Sequence, residues 1–327
     1  MDRRQFMRNS AALTAAAAAP MGALAQETFP ARTIRVVVPF APGGTTDVFA
    51  RLFTQHFTKF LGVPVIVDNK AGAGGLLGAT EVHKAAADGY TLAFQSPTSG
   101  VTGPLTRRVP PFDPVKGFSH ISILGITPIV LAVSTQSGIT SLRDLVAKAR
   151  STPGGLSFAT GGTGGGPHLS AELFRTRAGG FEAVHVPYKG AAPAVQDLIG
   201  GRVAYMTDTF TPLLPLHKEG RIKIISVFGA ARAEIAPDVP TAKEEGFDVV
   251  TRIANYLCAP PGTPAARLEV LSQAARKVMA LDEVKERLRT QAYVPVTDST
   301  PASATRFIAD EVALWAPVIR GAGIALE

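Results

Sequence analysis

The sequence predicts an α/β protein of two lobes with a ligand cleft between them, and three observations lead there. The β-branched run Thr33-Ile34-Arg35-Val36-Val37-Val38 stops at Pro39, and Gly43-Gly44 then opens onto an amphipathic helix. A second junction of the same kind lies downstream: the strand-like Leu156-Ser157-Phe158-Ala159, the bare loop Thr160-Gly161-Gly162-Thr163-Gly164-Gly165-Gly166, and a helix start at Pro167-His168-Leu169-Ser170. Short strand and helix signals alternate around both, the pattern that builds parallel sheets. The first turn of a helix carries unpaired N–H groups and the positive end of the peptide dipole, and a glycine loop lets a ligand approach them. Each junction is therefore an anion cradle, and two cradles in two halves of one chain imply a ligand held between lobes.

Each element follows from its residues. Val48, Phe49, Leu52, Phe53, Phe57, Phe60 and Leu61 keep helical spacing, and Gly62 stands where a left-handed cap ends the helix. A strand (63–67), a glycine-rich turn (71–75), a helix (76–87) and a strand (90–94) follow. Residues 121–133 form a long apolar extended run interrupted by Pro128, read as a strand pair or as a crossing between lobes. Ser141-Leu142-Arg143-Asp144 starts a helix to Arg150 in capping-box fashion. A second alternation then runs strand 156–159, helix 167–177, strand 181–186, helix 192–199, strand 202–206, helix 211–219 and strand 221–228. Residues 253–259 are extended again. The chain is mainly helical from Pro264 through Leu281 and Leu288, with a last helix over 302–319. Those helices need a sheet to cover, and the first lobe is short of helices, so the chain is expected to return to it near Arg252. This places lobe one at 26–127 plus 252–327 and lobe two at 128–251, with two crossings as a hinge.

Residues 1–25 read as an export signal: Arg3-Arg4-Gln5-Phe6-Met7, an alanine-rich stretch from Ala11 to Ala19, and the small-residue cleavage pattern Ala23-Leu24-Ala25. The apolar stretch is well short of the ~20 residues a membrane span needs. The paired arginines look like a twin-arginine signal, with ordinary secretory export as the other reading. Cleavage after Ala25 leaves 302 residues starting at Gln26, a soluble exported protein of two-domain length. Losing Arg3, Arg4 and Arg8 against Asp2 takes the formal charge from +7 to +5. That charge has no dense basic block, which argues against nucleic acid as a partner. Cys258, the only cysteine, sits in apolar Tyr256-Leu257-Cys258-Ala259 and reads as core.

Five segments together resemble a known family: Val38-Pro39-Phe40-Ala41-Pro42-Gly43-Gly44-Thr45-Thr46-Asp47, Asn69-Lys70-Ala71-Gly72-Ala73-Gly74-Gly75, Ala87-Asp88-Gly89-Tyr90-Thr91-Leu92, His185-Val186-Pro187-Tyr188-Lys189-Gly190 and Pro237-Asp238-Val239-Pro240-Thr241. Their order and spacing are similar to those of the Bug family of periplasmic solute receptors, the binding component of tripartite tricarboxylate transporters. The resemblance implies a periplasmic-binding-protein fold (type II-like) that closes over a small carboxylated solute. It also implies a two-protein membrane permease as partner, a monomeric receptor, no cofactor, and carboxylate capture by loop amides and hydroxyls with little help from arginine. Where many members have Gly-Asn-Gly-Ser-Ser-Ser-His, this chain has Gly162-Thr163-Gly164-Gly165-Gly166-Pro167-His168, which shifts the load to backbone N–H donors. Arg252-Ile253-Ala254-Asn255-Tyr256 lacks the tryptophan frequent at that crossing, and Gln95-Ser96-Pro97-Thr98-Ser99 is also individual.

The expected ligand contacts are Phe40, Ala41, Gly43, Gly44, Thr45 and Thr46 in the first cradle, Ser96 and Thr98 after the third strand, and Thr160, Gly161, Thr163, Gly164 and Gly165 in the second. Asp47 is read either as a helix-start acid that bonds first-turn amides or orients the loop, or as a contact. His168 is a neutral donor to loop or ligand, or packing. Tyr188 and Lys189 follow a strand, and Lys189 either answers a second carboxylate or is solvated. Asp208 either accepts from a ligand hydroxyl or amine or caps a helix. Tyr256 is expected as a lid on the crossing, and Trp315 packs against lobe one. The ligand class spans di- and tricarboxylates, aromatic acids, amino acids and nicotinate-like acids, and the bare second cradle favours partly apolar ones.

Enzyme readings fail on spacing. Gly72-Ala73-Gly74 has Leu77 where the dinucleotide fingerprint needs glycine, and Gly162-Thr163-Gly164 has Pro167. No nucleophile elbow, His-Glu-x-x-His or cysteine pair is present. A signalling receptor shares every feature of a transport receptor, and an exported hydrolase with a dispersed site is the remaining alternative.

Overall fold

The computed structural model describes residues 29–43, 45–188, 190–321 and 323–324. The export-signal reading of residues 1–25, and the contacts expected of Gly44 and Lys189, lie outside these described residues. Strand β1 (Ile34–Val38) leads to helix α1 (Thr45–Leu61), β2 (Val65–Asn69), α2 (Leu76–His83) and β3 (Thr91–Gln95). β1 lies between β2 and β3, parallel to both. Gly62 ends α1 in the left-handed region at φ +71°, its N–H bonded to the Thr58 carbonyl at 3.0 Å. After β3 the chain makes a π turn over Thr98–Thr102 and one turn of helix, α3 (Gly103–Leu105), where the sequence carried no helical signal.

The extended run is one strand, β4 (Ser119–Ser134), rather than a pair. It runs through Pro128, where its partners change: residues 119–128 pair antiparallel with β9 (Arg252–Ala259), and residues 129–134 pair with β7 (Tyr205–Thr209) and β8 (Ile222–Val227). A residue without an N–H is cheapest at such a switch, where one ladder ends and the next begins. Helix α4 (Leu142–Ser151) follows, and Ser141 caps it by accepting the Asp144 N–H at 3.1 Å. Then come β5 (Leu156–Thr160), α5 (Gly166–Arg177), β6 (Ala183–Pro187), α6 (Ala191–Ile199), β7, α7 (Phe210–Lys218) and β8. β5 lies parallel to both β6 and β7. After β9 the chain forms α8 (Ala265–Ala280), α9 (Asp282–Arg289), the short β10 (Val294–Pro295) and α10 (Pro301–Gly321). The sheet order is β2-β1-β3-β9-β4-β7-β5-β6, with β8 and β10 both on β4. β9 therefore sits antiparallel between β3 and β4, so the chain does return to the first sheet at Arg252.

Apolar burial follows the two sets of strands, with Leu169 of α5 buried in a cluster of the first and Ala292 in one of the second. α1 and α8 cover one face of the β1–β3–β9 sheet through Phe49, Phe53, Phe57, Leu271 and Val278, and α2 and α10 cover the other through Val82, Ile308 and Trp315. Two further clusters lie around Leu145, Phe158, Phe174 and Tyr205, and around Leu198, Met206, Phe210 and Leu213. Cys258 is fully buried on β9, accepts from Gln95 Nε2 at 3.2 Å, and has its thiol pushed up to about 12 by burial. This matches the core role read from its setting.

α10 clamps the crossing. Glu311, fully buried, accepts from Arg252 Nε at 3.0 Å and from Trp315 Nε1 at 2.9 Å, while the Arg252 guanidinium lies 4.5 Å above the Phe307 ring. Burial pushes the Glu311 carboxyl up, opposed by Arg252 and the Trp315 donor. Trp315→Phe strips one donor from a buried carboxylate, a loss of about 1–3 kcal/mol, and the smaller ring adds the cost of a void in the core. Urea unfolding of this variant is expected to show a lower midpoint at unchanged slope. An unchanged midpoint would mean the indole donor contributes nothing to the clamp.

Candidate functional site

The two glycine junctions have the same internal construction. In the first, Gly43 has φ +81° and its N–H donates to Oδ2 of Asp47, four residues on, at 2.9 Å. In the second, Gly164 has φ +75° and its N–H donates to Nδ1 of His168, again four residues on, at 3.0 Å. Asp47 and His168 are each the third residue of their helix, α1 and α5. Both are almost fully buried. Each loop is thus pinned to its own helix by a side-chain acceptor, at a glycine whose left-handed φ other residues rarely adopt.

The acceptors are themselves held. Asp47 Oδ2 also takes Arg51 Nε at 3.0 Å and Oδ1 takes Asn69 Nδ2 at 2.8 Å, while the same Asn69 nitrogen donates to the Phe40 carbonyl at 3.0 Å. Burial alone would raise the Asp47 carboxyl, but Arg51, the Gly43 N–H and Asn69 hold it below the usual aspartate range. His168 stacks on His185 with ring centroids 3.8 Å apart and 11° between planes. Phe158 and then Tyr205 extend the stack at 4.9 and 5.2 Å. Burial pushes both histidines down to about 4, and for His185 the neighbouring His168 adds to this. They are neutral at pH 7, so His168 Nδ1 is free to accept the Gly164 N–H. His185 Nε2 lies 2.7 Å from Thr160 Oγ1, and that hydroxyl lies 2.9 Å from the Gly162 carbonyl.

Several expected contacts are therefore corrected. Gly43 and Gly164 have already given their N–H groups to Asp47 and His168, so neither is a free donor. Asp47 has both oxygens engaged within its own junction, and His168 has its Nδ1 engaged in the same way. Thr160 is fully buried with its hydroxyl engaged by His185 and Gly162. The Tyr188 hydroxyl donates to Asp197 at 2.6 Å, and Asp197 pairs with Arg202; burial and that carboxylate push the phenol up to about 12. Tyr256 is no lid: on β9, opposite Gln95 and Ile123, it is 1% exposed, with its ring 6.0 Å from His120 and its hydroxyl against Gly100. Ser96 is buried, and its carbonyl accepts the Ser99 and Gly100 N–H groups that shape the π turn.

The remaining expected residues come together at one edge. Thr45 and Thr46 lie half-buried in the first turn of α1, next to exposed Ala41 and half-buried Phe40. Gly161 and Gly165 are half-buried and Thr163 is exposed around the start of α5. First-turn N–H groups of both helices have no partner within the helix; the bond from Leu169 N–H to the Gly165 carbonyl, at 3.0 Å, is where α5 begins to pair. The second loop packs against the turn after β3 and against β9: a carbon placed on Gly165 would lie 3.7 Å from Thr98 Cγ2, and one on Gly166 would lie 3.5 Å from Ile253 Cγ1. Between them runs a buried polar chain. Asn255 Nδ2 reaches Thr46 Oγ1 at 3.5 Å and the Gln95 carbonyl at 3.3 Å, and the Tyr293 hydroxyl donates to Asn255 Oδ1 at 2.8 Å. Asp208 at the end of β7 is close enough for its charge to act on that phenol. Sequence reasoning missed Asn69, His185, Asn255 and Tyr293 as site-builders. Three of them stand inside segments quoted above and were open to notice, whereas Tyr293 had no local signal.

Comparison with known proteins identifies the architecture. A model of the tripartite tricarboxylate transporter family receptor, TctC, matches residues 49–324. The chain belongs to this family. Protein BugT of Bordetella pertussis is 36% identical over 316 residues, covering 96% of this chain and 95% of that protein. Among solved structures, MatC from Rhodopseudomonas palustris with bound malate superposes with a TM-score of 0.80 at 31% identity, covering 89% of this chain and all of that one. An R. palustris protein with adipate gives 0.82 at 34% identity over 91% and 99% of the two chains. The periplasmic binding protein BugD gives 0.80 at 28% over 91% and 100%. The fold is the two-lobed α/β binding-protein fold, and the family is one of periplasmic substrate-binding receptors, not enzymes. Among the described residues no group of His, Cys, Asp or Glu is assembled that could hold a metal ion, and no helix is long and apolar enough to cross a membrane.

Pinning by His168 is separable from its bulk. His168→Leu removes the acceptor and should weaken ligand binding about tenfold, while His168→Asn, whose Oδ1 can replace Nδ1, should keep affinity within about threefold, both read by calorimetric titration. Equal losses in the two variants would contradict the pinning role. The sign of the pH effect follows from neutral burial. Folded values near 4 lie below the unfolded value of about 6.5, so this stability is present above pH 6.5 and is lost as pH falls towards 4. Melting temperature should drop across that window, and the H168N/H185N double variant should lose part of the slope; an identical slope would mean the rings are not buried neutral.

Proposed function

We propose that this chain is a periplasmic receptor that closes two lobes over one small organic carboxylate and, as a monomer, delivers it to a two-component membrane permease. The observation that carries the reading is the duplicated cradle: two pinned glycine loops, each following a parallel strand, with Gly165 of the second beside Thr98. The lobes are residues 26–127 plus 252–327 and residues 128–251. The separation of the hydrophobic clusters supports this division, as does the change of partners on β4 at Pro128. Residues 1–25 act as the export signal, of twin-arginine type, cleaved after Ala25.

The carboxylate is held by the amides of Thr45, Thr46, Gly165 and Gly166 at the two helix starts, with the hydroxyls of Thr46, Thr98 and Thr163 at the rim. Three or four charge-assisted hydrogen bonds of about 1.5–3 kcal/mol each meet the roughly 8 kcal/mol of micromolar binding after ordering costs. A ligand touching both loops stabilises the closed form by its extra contacts there, and closure gives the permease a surface to recognise. The malate of MatC and the adipate of the second R. palustris protein are dicarboxylates, in keeping with this class. The bare second loop leaves room for a partly apolar or aromatic acid as well.

A thermal-shift screen of organic acids tests the reading. At a hundredfold excess over Kd a ligand adds about 2.7 kcal/mol, which raises the melting temperature by several degrees. Shifts are expected from carboxylates and not from the matching amides or alcohols. A screen in which no acid shifts the melt, or in which a hit is chemically consumed, would overturn the proposal.

A further inference from the structure

One side chain at the cleft edge is used by neither loop. Asp208 lies at the C-terminal end of β7, opposite Val130 of β4, and is 9% exposed. Its Oδ1 accepts the Thr209 N–H at 2.7 Å and lies 3.4 Å from the Thr209 hydroxyl. Oδ2 has no hydrogen-bond partner among the described residues. Among the described residues no cation is paired with it, and burial raises its carboxyl to about 6. Its position is central: Thr207, the residue before it, donates to the Pro167 carbonyl of the second cradle at 2.8 Å. On its other side is Tyr293, whose bond to Asn255 leads to Thr46 of the first cradle.

An ionised carboxylate accepts hydrogen bonds and donates none. Placed in a cleft for anions, it repels a second ligand carboxylate at that spot and rewards a hydroxyl or ammonium group there. We infer that Asp208 is the selectivity group of this cleft, accepting a donor on the ligand, so that the receptor prefers hydroxy or amino acids over the corresponding acids that lack the donor. This rests on the carboxylate-receptor reading above and narrows its ligand class. The Asp208 carboxylate restricts what the bare glycine loops alone would admit.

Calorimetric titration of the mature chain at pH 7.5 with matched pairs tests it: malate against succinate, mandelate against phenylacetate, glutamate against glutarate. In at least one pair the donor-bearing acid should bind tenfold or more tightly, and Asp208→Asn, which can donate as well as accept, should bring that ratio below about threefold. The variant's melting curve and circular dichroism confirm folding, and should it not fold, the wild-type ratios decide. If acids bind but every pair falls within twofold, or the ratio survives in Asp208→Asn, the selectivity role is wrong while the receptor reading stands. If no acid binds at all, the receptor reading fails and takes this inference with it.

Discussion

The interaction on which the rest depends is the hydrogen bond from a left-handed glycine N–H to an acceptor four residues on, made once in each lobe by Gly43 with Asp47 and by Gly164 with His168. A glycine-rich loop is entropically costly to order, and a loop that wanders cannot present amides at fixed positions. Giving up one N–H per loop to an internal acceptor fixes the others. The acceptors differ in chemistry because their surroundings differ. Asp47 sits beside Arg51 and Asn69 and stays charged, whereas His168 sits in a four-ring stack and must be neutral to accept.

The fold serves this arrangement. Parallel strands deliver both loops to the C-terminal edges of their sheets, where α/β proteins bind ligands. β4 and β9 carry the chain between the sheets, and the buried Glu311 ties the crossing strand to α10 through Arg252 and Trp315. Two bodies joined by two strands are the arrangement in which hinge closure around a ligand occurs, the motion proposed for this receptor.

Much of this was legible in the sequence. The strand-to-glycine junctions, the alternation of elements and the left-handed cap at Gly62 follow from local chemistry, because each depends on residues close together in the chain, while the return at Arg252 follows from matching the late helices to the sheet that lacked them. β4 was ambiguous because Pro128 normally argues against a central strand, and only the partner switch explains its place. The roles within the cradles were less legible. Asp47, Thr160 and His168 have the residue types of ligand contacts, but neighbours brought in by the fold, Asn69 and His185 among them, turn them into bracing. Tyr256 read as a lid on the crossing because nothing local says that β9 is inserted between two strands. Tyr293 gave no signal, since its function lies wholly in its distant partner Asn255.

The most direct test of the account is a crystal structure of the mature protein with a bound organic acid found by screening. The account predicts one carboxylate between the lobes, with its oxygens within hydrogen-bond distance of first-turn amides of both α1 and α5. A carboxylate seated against one lobe alone, or away from both glycine loops, would contradict it.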